Sequence, residues 1–373
     1  MCKRFFSAAI VVSLLLMMFA VVPAASALTS GDYSYVVKDD GTARITDYSG
    51  SAETLVIPSR LGGYTVSEIG EDAFGFSYTL RDVTIPDTVR VIDALAFEYC
   101  DSITSVTFGS GVEQIGESAF WFCMALTEIT LPDSLCEMGD WVFSGCSALS
   151  EIDFPDQAVR IGSYVFEDTA WYLSQPAGLI FAGQTLYTVK GDCPASVTIP
   201  DGTLAIADSA FSARTALTSV TIPDSVRIIG WAAFYGCTGL SDVYIPDTVE
   251  FIGELAFGYC NTRDSSGKVV RSAIEGFGIT ANVNTAAESY AANSGIGFSA
   301  LNETTILGDA DNDYLVSIDD VTLIQRVLAN LASDPFDRIS RHGDVSADGL
   351  DITDATYIQQ YLAHYTVRYA IGK

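Results

Sequence analysis

The sequence predicts a β-rich solenoid of stacked 23-residue repeats, followed by a small all-α module with two loop–helix motifs. Three observations predict this fold class. A phenylalanine recurs with a 23-residue period through most of the chain. Most of these intervals contain a short segment of alternating polarity that ends at a proline, as a strand does. Near the C-terminus, aspartates occupy alternate positions in two similar loops.

The phenylalanine column is the strongest repeat signal. Its members keep the 23-residue spacing except for one step of 45, and an isoleucine or methionine stands five positions before each. A single unit cannot bury its own apolar face, whereas stacked coils bury the same position of every coil in one column. We therefore expect these side chains in the core: Phe74, Phe97, Phe120, Phe143, Phe166, Phe211, Phe234 and Phe257.

The strand of one repeat is exemplified by Leu80–Ile85, where inward and outward positions alternate. Pro86 ends it, because proline lacks the N–H that a sheet ladder needs. The outward position also recurs and gives a polar, mildly acidic ribbon on one open face. Its members are Thr84, Thr107, Thr130, Asp153, Thr221 and Tyr244.

Cysteines fall three residues after the core phenylalanine in five of the eight repeats. A fixed position in a stacked coil favours a column of small buried thiols, since free cysteine is among the most buried residue types. Disulfides or a metal site are the alternatives. The column consists of Cys100, Cys123, Cys146, Cys237 and Cys260.

The recurring pattern L-x-x-[VI]-x-[IL]-P-D-[ST]-V-x-x-I-G-x-x-A-F-x-x-C resembles the BspA-like leucine-rich repeat of bacterial surface and secreted proteins. The resemblance implies a leucine-rich-repeat solenoid over residues 28–301. Caps are expected at about 28–57 and 267–301, and an irregular insertion at about 168–198. The first cap contains a hairpin turn around Lys38–Gly41, and the last a helix over Thr285–Asn293.

The N-terminus has the features of a secretory signal. Lys3 and Arg4 precede an apolar run, and Ala25-Ser26-Ala27 is a small-residue cleavage site. We expect residues 1–27 to be removed and the protein to be extracellular; an uncleaved membrane anchor is the alternative. No later segment predicts a membrane span. The net charge of −28 argues against a nucleic-acid partner, because a phosphate backbone would be repelled.

Two acidic loops near the C-terminus predict two Ca²⁺ sites. Calcium takes six to eight oxygens, and EF-hand-like spacing turns alternate side chains towards one point. Tyr314 stands where glycine is usual and the second loop is one residue short, so tight binding by only one loop is the alternative. The expected ligands are Asp309, Asp311, Asp313, Leu315, Ser317 and Asp320, and then Asp344, Ser346, Asp348, Asp351 and Asp354.

Each loop is followed by one amphipathic helix and preceded by none, and this duplicated motif over residues 307–366 resembles a type I-like dockerin. Residues 302–306 are then a linker and 367–373 a tail. The resemblance implies Ca²⁺-dependent binding to a cohesin module of a scaffoldin or cell-surface protein, and hence attachment to a cellulosome or cell surface. The contacts it implies are Ile318, Asp319, Gln325, Arg326, Ile352, Thr353, Gln359 and Gln360.

No catalytic residue is predicted. Both histidines, His342 and His364, lie in the C-terminal module. The repeats therefore contain no histidine that could activate a nucleophile or bind a metal ion. A carboxylate pair stays open, since glycosidases need only two acids. Trp121, Tyr235 and Tyr244 form a candidate ligand face for a polysaccharide or protein, with ordinary half-buried packing as the alternative.

The sequence therefore favours a secreted, non-catalytic cellulosome-associated protein that displays its solenoid for protein or glycan recognition. One alternative is a cell-surface adhesin for host or neighbouring cells. The other is an accessory polysaccharide-degrading enzyme or its inhibitor.

Overall fold

The computed structural model describes residues 27–301, 321–325, 355 and 358. Its contacts divide the chain into two compact units. The first comprises the chain up to Ser241 together with Thr248–Glu275. The second comprises Asp242–Asp247 and the chain from Gly276 onward. Most of the predicted repeat solenoid, residues 28–301, lies in the first unit, whereas 242–247 and 276–301 lie in the second.

The first unit opens with an antiparallel sheet, as the Asp40-Gly41 turn predicts. Gly41 adopts a left-handed φ of 78° in the turn, a conformation that glycine takes without a steric penalty. The last strand of this sheet then begins a parallel ladder through the repeats. The strands are β1 (Leu28–Ser30), β2 (Tyr33–Val37), β3 (Ala43–Tyr48), β4 (Thr54–Val56), β5 (Arg60–Leu61) and β6 (Tyr64–Ile69).

Each following coil has a three-residue strand, a two-residue strand and a turn. The two-residue strands continue the ladder from β6, while the three-residue strands form a second set of parallel pairs. These strands are β7 (Asp82–Thr84), β8 (Val91–Ile92), β9 (Ser105–Thr107), β10 (Gln114–Ile115), β11 (Glu128–Thr130), β12 (Glu137–Met138), β13 (Glu151–Asp153) and β14 (Arg160–Ile161).

The 45-residue step contains a short helix and the predicted hairpin, after which the repeats resume and a second hairpin closes the unit. β16 enters the parallel ladder in place of a repeat strand. In chain order, the elements are α1 (Ala170–Ser174), β15 (Gly178–Ala182), β16 (Thr185–Lys190), β17 (Ser196–Thr198), β18 (Ala205–Ile206), β19 (Ser219–Thr221), β20 (Ile228–Ile229), β21 (Asp242–Tyr244), β22 (Phe251–Ile252), β23 (Tyr259–Arg263) and β24 (Val269–Ala273).

The second unit contains β21 in a parallel three-stranded sheet with β25 (Gly278–Ala281) and β26 (Gly297–Ala300). Helix α2 (Ala286–Ser294) connects β25 to β26. Thr285 caps its N-terminus, and Gly295, at φ 65°, ends it. The predicted helix is confirmed to within one residue.

The predicted phenylalanine column is confirmed as the core of the first unit. All eight side chains are at most 1 % exposed. Neighbouring rings stack nearly parallel, with centroids 5.1 Å apart for Phe97 and Phe120 and 4.8 Å for Phe211 and Phe234. Burial of one such ring contributes about 1.5–3 kcal/mol, so the column is a main source of stability.

Candidate functional site

One side of the solenoid is built from turns rather than strands, and its backbone is unusual. Two positions of each turn, two residues before and two after the core phenylalanine, have positive φ in most coils. The second position holds Gly145 and Gly236 in two coils but Phe76, Tyr99 and Phe122 in others. A side chain there costs about 1–2 kcal/mol relative to glycine. Aromatic residues at this position therefore indicate a role for their rings.

Aromatic rings at these two turn positions form two rows on the turn side, one at the position two residues after the core phenylalanine and one at the position two residues before it. In the first row, Phe76 stacks on Tyr99 and Tyr99 on Phe122, both at 5.3 Å between centroids. In the second, Trp141 stacks on Tyr164 at 5.9 Å and 7°. Phe76 and Tyr164 are 47 % and 55 % exposed. Tyr99 and Phe122 are half-buried, so the exposed apolar surface is at Phe76 in the first row and at Trp141 and Tyr164 in the second. Exposed aromatic surface of this kind can serve as an interaction site. These rows were not predicted from the sequence, although the 23-residue spacing of their aromatic residues is a signal that could have found them.

The residues of the predicted ligand face lie in different environments. Trp121 and Tyr235, at the position after the core phenylalanine, are half-buried, which is the alternative that the sequence left open, and Ser144 at the same position of another coil is buried. The reason is packing between coils: Trp121 lies edge-on to Tyr99 at 5.1 Å, and the Tyr235 hydroxyl donates to Asn261 Oδ1 at 2.8 Å. In the second unit, Tyr244 is 43 % exposed, as its outward position predicted.

A polar cleft of about 560 Å³ lies on the side of the three-residue strands. Among the described strands, the ladder is interrupted between β9 and β11, and the cleft lies at this interruption. Glu128, Glu151 and Asp153 line it. Within the described residues no cluster of three or more His, Cys, Asp or Glu has the arrangement of a metal site. Three members of the predicted ribbon, Thr107, Thr130 and Asp153, are exposed and line this cleft.

An ion-pair cluster links the coils on either side of the insertion. Arg160 pairs with Glu137 and, at 2.8 Å, with Asp208, and its guanidinium lies 4.6 Å from the centre of the Trp231 ring. Burial raises the pKa of Asp208, and the attraction of Arg160 opposes that shift. Because Asp208 also accepts the backbone N–H of Trp231, the cluster joins residues from four coils and has a structural role.

The cysteine column is confirmed as buried free thiols. Four of these thiols donate to the carbonyl of the core phenylalanine of the preceding coil, as Cys100 does to Phe74 at 3.2 Å and Cys146 to Phe120 at 3.1 Å. Burial raises the pKa of Cys100 to about 12. A small side chain with a weak donor suits this position, and a thiol held protonated is a poor nucleophile.

All expected Ca²⁺ ligands lie outside the described residues, as do all expected cohesin contacts except Gln325. The described part of this region is one helical segment, 321–325, and the helical residues Ala355 and Ile358. Gln325 is exposed, whereas Val321 and Ile324 are buried. Ala355 and Ile358, at the matching positions of the second copy, are buried too.

Comparison with known proteins agrees with the geometry. The family model for the BspA type leucine-rich repeat region matches in six copies, over residues 54–175 and 191–266, which is just over half of the chain. No curated protein is significantly similar in sequence.

Three solved structures illustrate the similarity. The leucine-rich repeat protein of T. pallidum is 28 % identical, with 57 % of this chain and 90 % of that chain covered and a TM-score of 0.41. One from Bacteroides capillosus is 36 % identical, with 34 % and 97 % covered and a TM-score of 0.32. A leucine-rich cell surface protein of Faecalibacterium prausnitzii is 22 % identical, with 75 % and 96 % covered and a TM-score of 0.32.

The fold and its surfaces define a repeat-solenoid protein of the interaction or surface class, in which ligands meet an extended face. The chain belongs to the BspA-type leucine-rich repeat family. None of the helices in the described part of the chain has the length and apolar character of a membrane span.

Proposed function

We propose that this protein is a secreted, non-catalytic docking protein. Its C-terminal module binds two Ca²⁺ ions and a cohesin module, and its repeat domain is displayed for protein or glycan recognition. The protein is thereby attached to a cellulosome or to a cell surface.

The observation that carries the proposal is the duplication behind the two acidic loops. Val321 and Ala355 are the first residues after the two predicted loops, and Ile324 and Ile358 follow three residues later. All four are at most 1 % exposed. Equivalent burial at equivalent positions supports two loop–helix copies that bury the same helix face. Gln325, expected to touch the cohesin, is exposed beside this face.

Charge supports the requirement for a metal. Residues 307–365 contain eleven aspartates and three arginines. Without cations these carboxylates repel one another, and the repulsion opposes a compact module. Calcium bound in each loop would remove the repulsion and couple metal binding to folding.

The repeat domain supports the recognition half of the proposal. The aromatic rows and the polar cleft offer two chemically different surfaces on a rigid stack of coils. Anchoring through a second module raises the local concentration of such surfaces near a target, so modest affinities suffice.

The test uses the secreted chain, residues 28–373, and a panel of cohesin modules in calorimetry. We expect binding with Ca²⁺ and loss of binding after treatment with EDTA. The double variant Asp309→Ala/Asp344→Ala should lose binding as well, because each loop loses its first ligand. Asp156→Ala, an exposed aspartate of the repeat domain, is the matched control and should bind normally. Cohesin affinity unchanged by EDTA would show that the docking mechanism is wrong.

A further inference from the structure

The turn side of the solenoid contains one gap. Elsewhere, three backbone hydrogen bonds join each turn to the next, with N–H groups donating to carbonyls of the following coil. Trp141, Phe143 and Gly145 donate in this way to Ser163, Val165 and Glu167, at 2.9–3.0 Å. The hairpin that fills the 45-residue step brings strands into the ladder but no turn. The turns around Phe166 and Phe211 therefore face each other across a missing one.

Only the middle hydrogen bonds of the missing turn are replaced. The Phe166 N–H donates to the Tyr187 hydroxyl at 3.1 Å, and the Val189 N–H donates to the Ala210 carbonyl at 3.3 Å. The outer groups have no hydrogen-bond partner among the described residues. On one wall these are the N–H groups of Tyr164 and Asp168, and on the other the carbonyls of Asp208 and Ser212.

The two donors keep the orientation of their equivalents in other coils. Tyr164 and Asp168 both have φ of 59°, as the corresponding turn residues do. In the other coils this conformation directs the N–H groups towards the following coil, so here they are directed towards the gap, and Tyr164 also lines it. Unpaired donors facing unpaired acceptors need a partner from solvent or from a ligand.

The gap is a pocket of about 320 Å³, which we call the notch. Its lining includes Tyr164, Glu167, Thr188, Ser209 and Ser212. A hydrogen bond of 3.0 Å from Ser163 Oγ to Ser209 Oγ closes one end. The volume lies in the lower part of the usual range for small-molecule pockets, about 300–1,000 Å³.

An aromatic platform borders the notch. One face of the Tyr164 ring lies on Trp141, and the ring also lines the notch, so its opposite face is open to a ligand. Glu167 lies beside it, and burial, reinforced by the charge of Asp168, raises the pKa of the Glu167 carboxyl. The notch thus combines an aromatic face, a carboxyl group, hydroxyls and unpaired backbone groups.

We propose that the notch binds the terminal residue of a neutral saccharide. Sugar hydroxyls both donate and accept, so one ring can meet the Tyr164 N–H on one wall and the carbonyls of Asp208 and Ser212 on the other. The C–H face of the same ring packs on Tyr164. This inference rests on the proposed role of the repeat domain in recognition and assigns that role a site and a ligand class.

Two observations decide against other occupants. A peptide strand would need the middle hydrogen bonds, which Tyr187 and Val189 already make, and would need both ends of the notch open. An acidic sugar would meet Glu167 on a chain of net charge −28 and would be repelled. The lining also contains one cation, Arg214, but its guanidinium already donates to the carbonyls of Val189 and Gly191.

The experiment titrates residues 28–373 with neutral oligosaccharides: cellotetraose, xylotetraose, mannotriose, lactose and tri-N-acetylchitotriose. Saturation-transfer NMR detects binding and calorimetry measures affinity. We expect at least one to bind and Tyr164→Ala to weaken it about tenfold or more, the scale of one lost stacking contact. Tyr164→Trp should retain binding. Tyr78→Ala, which removes a tyrosine of similar exposure away from the notch, should leave affinity unchanged.

The outcomes separate the claims. The saccharide assignment is overturned if none of these sugars binds at concentrations up to about 10 mM. At that concentration, only binding weaker than about 3 kcal/mol escapes detection. Binding that Tyr164→Ala leaves intact overturns the notch as the site. Neither result bears on the docking proposal, because that proposal is tested by measuring Ca²⁺-dependent cohesin affinity. Circular dichroism of each variant checks that the repeat fold is retained.

Discussion

The hydroxyl of Tyr187 accepts a hydrogen bond from the backbone N–H of Phe166 at 3.1 Å, in the core of the first unit. Tyr187 belongs to the inserted hairpin, and its ring lies 5.2 Å from that of Phe166. One side chain therefore replaces both a core phenylalanine and a backbone carbonyl of the missing turn. The insertion is thus a structural substitute for a repeat, fitted into the ladder at the place where a coil is missing.

Tyr187→Phe should destabilise the protein by about 1–3 kcal/mol, because the buried N–H of Phe166 loses its acceptor while the ring remains. Urea unfolding measures the change. The control is Tyr172→Phe, since the described residues supply no hydrogen bond to that hydroxyl and stability should hardly change. Equal effects of the two substitutions would mean that the Tyr187 hydroxyl is not a structural acceptor.

Phe120→Ala should cost about 3–5 kcal/mol, because the ring is fully buried and stacked between Phe97 and Phe143. Phe76→Ala removes a ring of the same size that is 47 % exposed, and its cost should be much smaller. Thermal or urea unfolding compares the two. A small loss for Phe120→Ala would contradict the view that the phenylalanine column is the main core.

Ala232→Gly should stabilise the protein by about 1 kcal/mol. Ala232 has φ of 51°, so glycine removes a steric cost of about 1–2 kcal/mol that exceeds its extra unfolded-state entropy. The neighbouring Ala233→Gly is the matched control: Ala233 is buried at negative φ, so the same substitution should destabilise by about 1–2 kcal/mol. Unfolding midpoints that move in the same direction for both variants would refute this account of the turns.

The column thiols should resist alkylation at pH 8 in the native state. Burial raises the pKa of Cys100 and Cys237 to about 12, so both stay protonated at this pH. In the unfolded chain the ordinary pKa of about 8.5 leaves roughly a quarter as thiolate, and modification becomes fast. Half-buried Cys193 is the internal comparison and should react first. Peptide mapping after iodoacetamide treatment reads out each site. Native Cys100 reacting as fast as Cys193 would contradict the burial of the column.

Several features of the first unit were predictable because they repeat. The phenylalanine and cysteine columns, the exposed threonines and the hairpin cap each follow from one local pattern. The half-buried position of Trp121 could not be read from one repeat, because it depends on packing against Tyr99 of the preceding coil. The aromatic rows were missed, although Phe76, Tyr99 and Phe122 share the 23-residue spacing.

By itself, the sequence determined the repeat length, the identity of the core columns and the end of those strands that a proline follows, because periodic burial and proline chemistry act within one coil. Tertiary structure alone decided that Tyr187 takes the place of a turn and that a notch remains beside it. Those features depend on which coils become neighbours once the 45-residue step separates Phe166 from Phe211. A missing hydrogen-bond partner is defined only after the coils have stacked.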